Sequence, residues 1–191
     1  MLDYSGIGTG QTTLADLAQD LTVDDLRKLS DEMVDTILSI IEDATDADVV
    51  FEPQDPAAND TFSASPDEAN IAWTLGHVVV HTTASSEEGA ALASSLARGV
   101  PVEGRSRYET LWTTVTTIEQ VRERLEESRR IRNAFFNTWP SQPHLDVTST
   151  PIPRFGPMDA RARFLLGLFH EDSHLEQLRE IMRQARAARG A

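Results

Sequence analysis

The chain has 191 residues, no cysteine and a formal net charge of −14. That length suffices for one domain with its own core, and the missing cysteine excludes disulfides, zinc–thiolate sites and cysteine nucleophiles. The acidity, with no basic stripe interleaved with aromatics, argues against a nucleic-acid surface.

Read from the start, MLDYSGIGTGQTT has no basic segment followed by an apolar run, so it does not read as a secretory leader. Residues 1–12 are expected to be a ragged tail, followed by a short helical turn at Leu14–Leu21. No apolar stretch reaches the ~18–20 residues needed to cross a bilayer, so a soluble cytoplasmic protein with no membrane partner is expected. Thr22 is a helix cap with Asp24 and Asp25 in the first turn. Leu26, Leu29, Met33, Ile37, Ile40 and Ile41 then recur at helical spacing to about Ala44. Residues 46–64 read as a long loop.

Ser65-Pro66-Asp67-Glu68 is a helix-start signature. The predicted helix carries Ile71, Leu75, His77, Val78, Val79 and His81 and runs to about Leu96, where Gly99-Val100-Pro101 stops it. A third helix is predicted from Thr116, with Glu119 completing a capping box, through Val121, Leu125, Ile131 and Phe135 to about Thr138. Its basic cluster, Arg122 to Arg132, is interrupted by Glu123, Glu126 and Glu127 and reads as a solvated face. Residues 140–157 form a proline-rich loop. A last helix opens at Pro157 and continues unbroken to about Ala188, with Phe164, Leu168, Leu175, Leu178 and Met182 on its core face. Four long helices, long connecting loops and no strand series predict a single all-α domain over residues 1–191, a four-helix bundle.

Four of the five histidines form two helix-spaced pairs, His77/His81 and His170/His174. Residues four apart share a helix face, so each pair aims two imidazoles at one point. Projection at about 100° per residue turns both pairs inward. A metal held between two helices is the simplest reason for the repeat; histidines satisfied by Thr74, Glu88 or Gln177 are the metal-free alternative. Three ligands with an open position would mark a catalytic ion, and four closed ligands a structural one. The spacing does not choose between them. His144, in a proline-flanked loop, reads as exposed.

Two familiar motifs fail. His170-Glu171-Asp172-Ser173-His174 matches the zinc-protease H-E-x-x-H pattern, but the extended form needs glycine where Gln177 stands and a ligand at Glu180, which projects to the wrong side of an unbroken helix. Glu171-x-x-His174 is half of a di-iron site. No second Glu-x-x-His exists, because Thr74, Val78, Ser141 and Gly167 stand three before the other histidines.

Trp73-Thr74-Leu75-Gly76-His77, with His170-x-x-x-His174-Leu-Glu-Gln177 far downstream, resembles the DinB-like (DinB/YfiT) metalloenzyme superfamily. The resemblance implies a four-helix bundle, often a homodimer, with zinc or nickel on a three-histidine face. It implies His77, His170 and His174 as ligands, water in the remaining positions, and Gln177 as support behind His174. Related bundles imply mycothiol or bacillithiol as a co-substrate. The functional expectation is an enzyme whose metal activates water or a low-molecular-weight thiol against a small-molecule substrate, as an S-transferase or hydrolase. Glu171 or His81 would assist proton transfer. A non-catalytic metal-binding or interaction bundle is the alternative. Substrate recognition would fall to the loops around Gly99–Tyr108 and residues 140–157, where Arg105, Arg107 and Arg154 are carboxylate binders or plain surface charge.

Overall fold

A computed structural model describes residues 2–56, 58, 70–105 and 108–190. The fold is all-α. Among the described residues there is no strand, only an isolated antiparallel bridge between Ser149 and Met158. No helix among them is long and apolar enough to cross a membrane.

The helices are α1 (Ser5–Thr9), α2 (Leu14–Ala18), α3 (Val23–Ile40), α4 (Asp46–Val49), α5 (Leu75–Ala97), α6 (Ile118–Phe136), α7 (Ala160–Ser173) and α8 (Leu175–Ala188). In the N-terminal stretch, α1 carries Ile7 into the core, and Tyr4 packs against Phe169 with ring centroids 5.7 Å apart. Thr22 caps α3 as the sequence predicts, in a reciprocal box with Asp25. The next expected loop is interrupted by α4, whose Val49 is fully buried.

The predicted start of the second long helix at Ser65-Pro66-Asp67-Glu68 lies outside the described residues. Ile71 to Thr74 are not helical, and α5 begins at Leu75. Thr74 caps it by accepting a hydrogen bond from the His77 amide at 3.2 Å. The third helix starts one residue later than its sequence signature suggests. Thr117 is the cap, and Gln120, not Glu119, closes the box.

Helix α5 is the centre of the molecule, packed most extensively against α7 and then α6. Its consecutive Val78, Val79 and Val80 are all buried, which explains a β-favouring string in a helix: every face has a neighbour to fill. On α6 the buried stripe is Val121, Leu125, Ser128, Arg132 and Phe136. Arg132 is thus a correction to the solvated reading of the basic cluster, since it is fully buried.

The last predicted helix is two helices. Asp159 caps α7 through the Arg161 and Ala162 amides, and the helical run breaks at His174. The Ser173 hydroxyl donates to the His170 carbonyl at 2.7 Å, the acceptor that an unbroken ladder would reserve for the His174 amide. That amide turns to the Glu171 carbonyl instead. A side chain competing for a backbone acceptor is a known cause of such a break.

Candidate metal centre

Close backbone approach brings the two histidine helices together. A Cβ on Gly167 would lie 3.0 Å from the Ser86 Cα, so only glycine lets α7 settle this near α5. Gly76 does the same on the other side of α5. A Cβ there would lie 2.9 Å from the Val115 carbonyl oxygen, in the chain that follows the short 3-10 turn Trp112–Thr114.

His81 from α5 meets His170 and His174 from the α7–α8 break. One ligand nitrogen from each can be chosen so that all three lie within 4.8 Å of one another. The His81 and His170 Nε2 atoms are 3.3 Å apart. Nitrogens bound to one tetrahedral ion at about 2.0–2.1 Å are separated by about 3.3–3.4 Å. The donor set suits a divalent metal, and the His81–His170 separation matches that of two of its ligands.

The surrounding polar groups favour that geometry. His174 Nδ1 and Gln177 Oε1 are 2.7 Å apart, so the ring donates there and turns Nε2 into its ligating nitrogen. Glu109 Oε1 lies 3.6 Å from His81 Nδ1. Glu109 was not singled out in the sequence, and a lone glutamate in a loop carries no signal that would have found it.

His77 stands beside this group and not in it. Its buried ring is stacked between Trp73, 4.4 Å away, and Trp112, 4.8 Å away. Trp73 also touches the ring of His81 at 4.4 Å and stacks on His174 at 5.6 Å. The two indoles form an aromatic wall behind the cluster.

Glu171 turns the other way. It is fully buried, and Arg132 Nη1 donates to its Oε2 at 2.8 Å. Burial pushes its carboxyl above the usual range, while the Arg132 guanidinium pulls it back. Among the expected loop arginines, Arg105 is exposed and reaches buried Glu88 at 3.4 Å. Arg154 lies over the Phe155 ring at 4.5 Å. Arg107 lies outside the described residues. His144 is largely exposed, 3.8 Å from Asp146, with its imidazole against Gly99.

A model of the DinB superfamily matches residues 9–178, a span that includes the three clustered histidines, His77, Gln177 and most of the helical core. No curated protein and no solved structure matches the chain.

Proposed function

The chain belongs to the DinB superfamily, and from that premise we infer that it is a metal-dependent enzyme acting on a small molecule. The observation that carries this reading is the convergence of His81, His170 and His174 from two separate helical segments. Three neutral nitrogens suit zinc or nickel and leave coordination positions for exchangeable ligands.

His170 and His174 are the ligand pair of this reading, and α5 supplies the third ligand through His81. The family resemblance has His77 in that place; here it is the His81 nitrogen that lies with those of His170 and His174, while His77 stacks between two indoles. When bound, such an ion lowers the pKa of a coordinated water or thiol, mycothiol or bacillithiol included, so that a nucleophile exists near neutral pH. The protein groups divide the remaining work. Gln177 fixes the tautomer of His174, Glu109 steadies His81, and Trp73 with Trp112 keeps water from one side of the cluster. Glu171 is held by Arg132 and braces α7 against α6. The class of reaction is then S-transfer from the thiol or hydrolysis by the water.

Metal content decides the ligand set. Untagged protein reconstituted with Zn²⁺ or Ni²⁺ is expected to hold one ion per chain. Alanine at His81, His170 or His174 should abolish stoichiometric binding, whereas His77→Ala should retain it. Full occupancy in both the His170→Ala and His174→Ala proteins would sink the reading. A metal-loaded protein that transfers no thiol and hydrolyses no electrophile would be the non-catalytic bundle.

A further inference from the structure

Seven residues before His170, on the same helix, stands Arg163. Seven residues make nearly two full turns and a rise of about 10 Å. Arg163 and His170 therefore share one face of α7. Arg163 is only 6% exposed, yet among the described residues its guanidinium has no hydrogen-bond or ion-pair partner. Burial pulls its pKa down; the Glu88 carboxylate offsets this in part, and the Arg105 charge adds to the lowering. Glu88 is already engaged by Arg105. A buried charge left unpaired is costly, and buried charges are ordinarily matched.

Arg163 lines a cavity of about 280 Å³. The expected recognition loops form its other walls, through Val102 and Glu103 on one side and Ser149 and Thr150 on another, with Leu92 of α5 beneath. Ser149 belongs to the wall, with its hydroxyl oxygen buried beneath the cavity surface. The Ser149 backbone is fixed by two hydrogen bonds exchanged with Met158, at 2.9 and 2.8 Å. The cavity thus presents a nearly buried cation with no partner among the described residues, beside apolar surface.

We propose that this cavity is a carboxylate-binding subsite, in which the Arg163 guanidinium donates to the carboxylate of a small organic acid whose carbon chain lies on Leu92 and Val102. A planar carboxylate matches the guanidinium fork. A doubly charged phosphate matches it less well, since Glu103 lines the same cavity. The subsite stands on its own. Only its use as the recognised end of a substrate, about 10 Å along α7 from the histidines, rests on the metal-dependent reading.

Calorimetric titration of metal-stripped protein tests the subsite without involving the metal. Succinate and inorganic phosphate serve as probes for the wild type and for Arg163→Met, Arg163→Lys and Ser149→Ala. Succinate should bind the wild type, and phosphate should bind more weakly. Arg163→Met should weaken succinate about tenfold to a hundredfold, as loss of a charge-assisted hydrogen bond does. Arg163→Lys keeps the charge but loses the fork, so its affinity should fall between the two. Ser149→Ala, which removes a hydroxyl buried beneath the wall, should leave succinate binding unchanged. Without ligand, Arg163→Met should melt at or above the wild-type temperature, because it removes an unpaired buried charge. The proposal is overturned by failure of succinate to bind the wild type, by equal binding to Arg163→Met or Arg163→Lys, by tighter binding of phosphate, or by a large drop in the Arg163→Met melting temperature. Metal stoichiometry measured on the same variants should be unchanged. Failure of the subsite and failure of the metal centre are therefore separate results.

Discussion

Two buried arginines in this core are treated in opposite ways. Arg132 on α6 is fully buried and engaged: Nη1 reaches Glu171 at 2.8 Å and Nε reaches the Ser128 carbonyl at 3.3 Å. Arg163 on α7 is nearly as buried, has no such partner among the described residues, and faces a cavity. Burial alone therefore does not tell a structural charge from a binding one. The partner set does: a guanidinium closed onto a carboxylate locks two helices, and one left open toward a cavity is set up for a ligand.

The largest expected effect tests the closed member. Arg132→Met leaves Glu171 buried without a counter-charge, a change that costs about 3–5 kcal/mol in comparable sites, read as the shift of a urea unfolding curve. The pair is single-pronged, with Arg132 Nη2 and Glu171 Oε1 both lacking partners. The double replacement Arg132→Met/Glu171→Leu should therefore recover much of the loss. The pH dependence has a defined sign. Burial already raises the Glu171 pKa in the folded state, and losing Arg132 raises it further. The unfolded chain releases that proton first, near the ordinary glutamate value of about 4.3. Stability of Arg132→Met should then fall as pH rises from that value through the raised folded one. If Arg132→Met unfolds like the wild type, Arg132 is no more committed than Arg163, and the contrast between them collapses.

A smaller effect is expected at the glycine between the two charged layers. Gly167 lies four residues after Arg163 and three before His170. A Cβ there meets the Ser86 Cα at 3.0 Å, a backbone atom that cannot swing aside. Gly167→Ala should cost about 1–3 kcal/mol by overpacking. It should also weaken metal binding, because α7 must move away from α5 and carry His170 with it. Unchanged stability would mean that the interface yields, and that neither the histidine cluster nor the Arg163 cavity depends on close packing.

Much of this arrangement was legible in the chain, for identifiable reasons. Histidines at four-residue spacing placed both pairs inward, and the Trp73-to-His77 and His170-to-Gln177 motifs pointed to the family. The family's ligand set put His77 beside His170 and His174, whereas the structure gathers His81 with them. Spacing could not have decided this, because His77 and His81 share a helix face; what separates them is Trp112, far away in sequence. Arg132 was readable in principle. Counting 121, 125, 128 and 132 gives a helical stripe, but the surrounding alternation of Arg and Glu hid it. The break at His174 was not readable, because Ser173 gives no sign in the sequence of whether its hydroxyl takes the His170 carbonyl or faces solvent. Nor was the vacant partner set of Arg163, since the absence of a partner exists only in three dimensions.

The smallest expected effect belongs to charges that are neither buried nor open to a cavity. Asp43, just beyond α3, bonds Arg186 Nη2 at 2.5 Å and Arg189 Nη2 at 2.9 Å, joining the end of α3 to the end of α8. These side chains are substantially solvated, Asp43 being 51% exposed. The Arg186 hydrogen bonds, with Arg189 adding less, hold the Asp43 carboxyl down at about 2. A depressed carboxylate pKa stabilises the fold above the ordinary aspartate value of about 3.9, and that contribution is lost as pH falls through the folded value. The difference in urea midpoint between wild type and Asp43→Asn should therefore be steady above about pH 4 and close toward pH 2. Added salt should shrink it, because exposed pairs are screened, while leaving the Arg132→Met difference largely intact. Equal salt sensitivity in the two variants would mean that Arg132 and Glu171 behave as a solvated pair, and that the partner set of a buried guanidinium is a poorer guide to its role than solvent access.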